Sequence, residues 1–202
     1  MACKEGHVNV AKMFMDNSTT LSIDLNVKDN AGCTAFILAC KKGHSNVAEQ
    51  LIEKSVTLGI DLNSKCVRNG TAFMWACVLG HSSIVKLIME YSVDTTYGLG
   101  YSAFIVLVAK ASGHSDVVSN FMKNAAILSI DLNAKDNIGS TGFHLACKVG
   151  HVNVIKVLME NSANLNIDLN VKDKYGKTGF HWAYQMGHST DIVKIIKENA
   201  AD

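Results

Sequence analysis

Four times along the chain a cysteine precedes a histidine by four residues, at Cys3/His7, Cys40/His44, Cys77/His81 and Cys147/His151. On an α-helix that spacing puts a thiol and an imidazole on one face, where they could supply two ligands of a tetrahedral zinc site. The same pair could also act as a nucleophile and its base. The surrounding sequence opposes both chemistries. A glycine stands immediately before each of these histidines and is expected to end the helix, which breaks the shared face. Copies in neighbouring units would lie a helix-packing distance of roughly 8–10 Å apart, too far to share an ion. A nucleophile pair also needs a third group to orient the base and donors for an oxyanion, and no candidate for either accompanies the pairs. The cysteines are therefore read as small buried apolar side chains. The histidines are read as hydrogen-bonding to backbone at the turn between helices. No metal, cofactor or catalytic residue is expected.

Two further features carry potential chemistry. The segment Gly98-Leu99-Gly100-Tyr101-Ser102-Ala103 has the form G-x-G-x-x-A and precedes a helical pattern, as in dinucleotide-binding loops. It lacks the preceding parallel strand and the rest of a βαβ unit, so it is read as a variant loop. Cys33 and Cys66 are expected to be exposed in turns, with no neighbour that lowers their pKa and with no functional role.

The elements that hold these residues repeat. Gly-His occurs at Gly6-His7, Gly43-His44, Gly80-His81, Gly113-His114, Gly150-His151 and Gly187-His188, with spacings of 37, 37, 33, 37 and 37. Ile-Asp-Leu-Asn recurs at 23–26, 60–63, 130–133 and 167–170, and phenylalanine at Phe36, Phe73, Phe104, Phe143 and Phe180. Ala-Cys at 2–3, 39–40, 76–77 and 146–147 keeps the same register. Between Asn133 and Asn170 one unit can be read in full. Lys135 to Gly139 is a turn cluster, Thr141 is placed to cap a short helix, and Gly150 ends it. A second helix over about Asn153 to Asn161 carries Val154, Ile155, Leu158 and Met159 as an apolar stripe. Helices of two or three turns are unstable alone, so such units must stack to bury a shared core.

Thr141-Gly142-Phe143-His144-Leu145-Ala146 and Thr178-Gly179-Phe180-His181-Trp182-Ala183 resemble the ankyrin signature T-P-L-H-x-A. The resemblance implies an all-α ankyrin-repeat solenoid of helix-turn-helix units joined by hairpin loops. It is read as one array over 1–202, with a partial repeat at 1–26 followed by repeats at 27–63, 64–96, 97–133, 134–170 and 171–202. His144 and His181 occupy the signature histidine position, which in ankyrin repeats is associated with turn hydrogen bonds. The sequence departs from the pattern in three ways. It contains no proline, phenylalanine replaces the signature leucine, and most units carry four extra residues after the second helix, at Thr20–Ile23 and its equivalents. That insertion suits either a longer hairpin arm or an extra helical turn. The segment from Tyr91 to Phe104 differs most from its counterparts. The chain begins within a first helix and stops just after a second, with no polar cap at either end, so a piece of a longer array or an incomplete product is expected.

A composition of 48% hydrophobic and 18% charged residues, with net charge +1, supports a substantial core and opposes disorder. The same charge balance gives no basic excess for nucleic acid. No apolar run is long enough to span a membrane, and the N-terminus has no signal core. An intracellular, cytoplasmic location is expected, with the nucleus left open.

In ankyrin-like arrays the hairpin tips and the exposed side of the first helices form a concave binding groove. Mapped onto this chain, partner-binding residues are expected at Val67, Arg68, Val78, Leu79, Tyr97, Leu99, Tyr101, Lys110, Ile138, Lys148, Tyr175 and Met186. Their apolar centre around Tyr97, Leu99 and Tyr101 is expected to anchor the partner, and the basic flanks favour an acidic one. Alanine at those three positions should weaken binding without unfolding the chain. A protein-interaction module or scaffold is thus the leading reading, with no small-molecule substrate. The competing one is a targeting or regulatory arm of a larger enzyme or channel whose other domain lies outside this chain.

Overall fold

Threonine starts the first helices. Thr34, Thr71, Thr141 and Thr178 all have extended backbone. Thr34 Oγ1 accepts from the Ile37 amide at 3.3 Å and Thr71 Oγ1 from the Met74 amide at 3.2 Å, satisfying N–H groups that a helix start leaves unpaired. The computed structural model describes residues 1–67, 70–91, 108, 114–125 and 131–199. It divides into two compact units, Met1–Asp94 and Thr95–Asp202. The first contains α1 (Ala2–Glu5), α2 (Val8–Asp16), α3 (Ala35–Lys42), α4 (Ser45–Glu53), α5 (Ser55–Leu58), α6 (Ala72–Val78) and α7 (Ser82–Tyr91). The second contains α8 (Ser115–Asn124), α9 (Gly142–Val149), α10 (Val152–Glu160), α11 (Gly179–Gln185) and α12 (Ser189–Asn199). Among the described residues there is no strand.

First helices pack on first helices and second on second. In the first unit α3 lies against α1 and α6, while α4 lies against α2 and α7. In the second unit α9 packs on α11, and α10 on α8 and α12. The buried stripes explain why. Phe36, Ile37, Val47, Leu51, Ile84 and Val85 form the core of the first unit, and Phe121, Phe143, Val154, Ile155 and Leu158 that of the second. No single helix could bury such a stripe without its neighbours.

Gly-His marks a contact between repeats. Gly43 and Gly150 end their helices in the left-handed region, at φ 81° in both cases. A Cβ on Gly43 would come within 2.8 Å of the His81 ring, and one on Gly150 within 2.7 Å of the His188 ring. Each glycine therefore makes room for the histidine of the following repeat. That histidine reaches back: His44 Nε2 lies 2.9 Å from the Lys4 carbonyl and His81 Nε2 3.2 Å from that of Lys41. A carbonyl only accepts, so Nε2 carries the proton in both rings. His144 makes a different link, with Nδ1 accepting from the Thr141 amide at 3.1 Å and Nε2 donating to the Lys177 carbonyl at 3.1 Å.

The four-residue insertion is an extra helical turn. After α4, α5 adds one turn and ends on Gly59 at φ 63°. Ser22 and Asn166 hold the same left-handed conformation at φ 51°. The amides of Ile23, Ile60 and Ile167 then bond back to the carbonyls of Ser18, Ser55 and Ser162 at 2.8–2.9 Å, closing each turn as helix C-termini commonly do. The asparagine of Ile-Asp-Leu-Asn fastens this turn to the repeat before it. Asn26 Nδ2 donates to the Gly59 carbonyl and its Oδ1 accepts from the Asp61 amide, both at 2.8 Å. Asn133 makes the same pair with the Asn166 carbonyl and the Asp168 amide, at 2.7 and 2.8 Å.

Candidate functional site

The hairpins between repeats are built around a carboxylate. Asp29 Oδ1 accepts from the amides of Ala31 and Cys33, and Asp136 Oδ1 from those of Ile138 and Ser140. Asp173 Oδ1 accepts from the amides of Tyr175 and Lys177, and its Oδ2 takes the indole N–H of Trp182 at 2.7 Å. Each loop closes with a glycine at positive φ, and successive tips pair through the main chain. The Val67 amide donates to the Ala31 carbonyl at 3.1 Å, and the Lys174 amide to the Ile138 carbonyl at 3.0 Å. Side chains at these tips are thus carried on a backbone fixed at both ends, the usual setting for recognition residues.

The expected binding residues divide three ways. Val67 is 75% exposed and Tyr175 64%, both at hairpin tips, and Leu79 and Met186 are exposed at the ends of α6 and α11. Val78, Ile138 and Lys148 are half-buried, so they contribute edges and charge more than open surface. Arg68, Tyr97, Leu99, Tyr101 and Lys110 lie outside the described residues, as does the Gly98–Ala103 segment.

One expectation is corrected. Cys33 and Cys66 are buried, at 3% and 6% exposure. Their two hairpins lie against each other, with the Val67 amide on the Ala31 carbonyl, and Cys33 Sγ donates to that carbonyl at 3.9 Å. Burial, together with Asp29 and Cys66, raises the pKa of the Cys33 thiol. Burial likewise raises Cys40 and Cys77 and pushes Cys147 up to about 12. Because the thiolate is the reactive species, Cys147 is expected to alkylate at least about a hundredfold more slowly than an exposed cysteine at neutral pH. Iodoacetamide labelling read by mass spectrometry should show it modified only after unfolding in urea; equal labelling in both states would contradict its burial.

The sequence reading missed the tryptophans. Trp75 stands five residues before Gly80, and Trp182 five before Gly187. Each ring carries a lysine from the preceding first helix: Lys41 Nζ lies 4.1 Å from the Trp75 ring and Lys148 Nζ 4.6 Å from that of Trp182. Lys177 Nζ lies 4.4 Å from the Trp182 ring, and Tyr175 meets it edge-on at 6.4 Å. The shared register of the two tryptophans was the signal that could have found them. The two sites differ in one respect. Cys66 occupies in the first unit the place Asp173 holds in the second, and Trp75 Nε1 is buried without an acceptor. Such a donor costs roughly 1–3 kcal/mol.

Among the described residues no group of three potential metal-ligating side chains converges, and no helix is long and apolar enough to cross a membrane. The Nε2 atoms of His44 and His81 are engaged by backbone carbonyls, and the paired Cys40 and Cys77 are buried in the core.

Short paired helices, stacked like on like and joined by carboxylate-centred hairpins, define a helical repeat protein. The family model for ankyrin repeats in three copies matches residues 1–102 and 105–202, and the chain belongs to the ankyrin-repeat family. No curated protein sequence matches it significantly. The crystal structure of EF0377, an ankyrin repeat protein, is similar in fold, with a TM-score of 0.77 and 22% identity, covering 97% of this chain and 94% of that one. Ankyrin repeats are generally protein–protein interaction modules, and the fold is typically non-catalytic. As many as 433 chains of known structure match, so the fold by itself does not select a partner.

Proposed function

We propose that the chain is a scaffold that binds a partner protein through its hairpin tips and the exposed side of its first helices. The observation that carries this reading is the exposure of Val67 and Tyr175 on tips whose main chain is pinned by neighbouring hairpins. A large apolar or aromatic side chain held rigidly in solvent loses little conformational freedom on binding, and Tyr and Met are enriched at interfaces. Lys41, Lys148, Lys174 and Lys177 surround these residues and favour an acidic partner. A partner captured with the wild-type chain and then purified is expected to bind a variant with alanine at Val67, Leu79, Tyr175 and Met186 at least about tenfold more weakly. The variant should still melt cooperatively, a few degrees lower at most, because none of the four side chains belongs to the core. Equal affinity would place the interface elsewhere.

A further inference from the structure

We propose that the pocket beside Lys41 and Trp75 receives one carboxylate, supplied by an acidic side chain of the bound partner. The inference rests on the reading of this face as the partner-binding face, and it names the chemistry recognised there.

The second unit provides the reference. There the Trp182 indole N–H donates to Asp173 Oδ2 at 2.7 Å, with Lys148 and Lys177 over the ring. The first unit repeats the tryptophan, the overlying lysine and the hairpin, since Cys66 N donates to the Gly70 carbonyl as Asp173 N does to that of Lys177. What it lacks is the carboxylate. A buried indole N–H is left without an acceptor, an unusual state that calls for an explanation. Beside it is a cavity of about 340 Å³ whose lining includes Asn30, Cys33, Lys41, Cys66, Val67 and Trp75. Among the described residues no acid lines this cavity, and Asp29 on the same hairpin already accepts from the Ala31 and Cys33 amides. Among the described residues the cavity thus sets one ammonium beside an unsatisfied, buried indole donor and supplies no anion. A carboxylate entering past Val67 would satisfy both, taking the part that Asp173 plays in the second unit. Cys66, smaller than aspartate and uncharged as a thiol, leaves that position open to an outside group.

Glutarate can serve as the probe and the indole N–H resonance of Trp75 as the readout. Titration is expected to move that resonance saturably while leaving Trp182, whose acceptor is in place, unmoved. Glutaramide, of the same shape without charge, should have no effect. Cys66→Asp installs the missing acceptor. It is expected to raise Tm by roughly 2–4 °C and to abolish the glutarate response. Lys41→Met, which removes the ammonium but keeps the indole, should weaken the response at least about tenfold. An unmoved Trp75 resonance, an equal response to glutaramide, or an undiminished response in either variant would overturn the proposal. Because the probe is a small diacid, that failure is separate from failure of the partner-binding reading, which the four-alanine variant tests on its own.

Discussion

Phe143→Ala is expected to destabilise the second unit by about 3–5 kcal/mol, a large share of the 5–15 kcal/mol typical of a whole domain. The ring is 2% exposed and meets Phe180 edge-on at 5.2 Å, so truncation removes both core volume and an aromatic pair. The loss falls between two repeats that cannot bury their faces apart. Urea unfolding followed by circular dichroism and by Trp182 fluorescence should show an earlier transition in the variant; a loss below about 1 kcal/mol would mean that the neighbours close over the gap. The same ring accounts for one departure from the ankyrin signature. A Cβ on Gly179 would stand 2.6 Å from Phe143 Cδ1. At position 179 that ring leaves no room for the Cβ of a proline; Ala72, at the same position of an earlier repeat, does carry a Cβ.

Asp173→Ala is expected to cost about 2–4 kcal/mol, because it strands the amides of Tyr175 and Lys177 and the indole of Trp182. The effect depends on pH in a definite direction. Burial pushes the Asp173 carboxyl upward, but hydrogen bonds from Lys177, Trp182 and Tyr175 outweigh it and hold the pKa below its ordinary value of 3.8. The unfolded chain therefore takes up this proton more readily than the folded one. The stabilisation is complete above the unfolded pKa and fades as pH falls from about 4 through the lower folded value. Urea midpoints at pH 7, 4 and 3 should show the difference between wild type and Asp173→Asn shrinking only below about pH 4. A constant difference would remove the carboxylate charge from the account.

Helix order, the capping threonines and the buried stripes were legible in the sequence because each depends on neighbours a few residues away. Thr34 and Ile37, or Val154 and Leu158, interact within one turn, and periodicity reports such pairs directly. Gly-His was legible as a marker and opaque as a contact. Gly43 serves His81 while His44 serves Lys4, and adjacency in the chain hides partners about forty residues away. The insertion could not be assigned because Leu21, Ile23 and Leu25 suit a strand edge as well as a turn. The left-handed residue that decides it is serine at 22, glycine at 59 and asparagine at 166. Cys33 and Cys66 looked exposed because each was read within its own hairpin, whereas the Val67 amide on the Ala31 carbonyl shows that these two hairpins lie against each other. The tryptophan sites were overlooked for a related reason: the lysine lies on one repeat, and the indole on the next.

Asn26 and Asn133 show what one repeat asks of the next. Each reads a carbonyl and an amide of the main chain, at Gly59 and Asp61 in one case and at Asn166 and Asp168 in the other. Glycine and asparagine serve equally at the first position, because the side chain there is not consulted. The joint is a matter of main-chain shape, and both described copies of it keep that shape. A duplicated stretch of gene would therefore arrive already compatible with its neighbours, free to lengthen the array first and to diverge on its exposed tips afterwards.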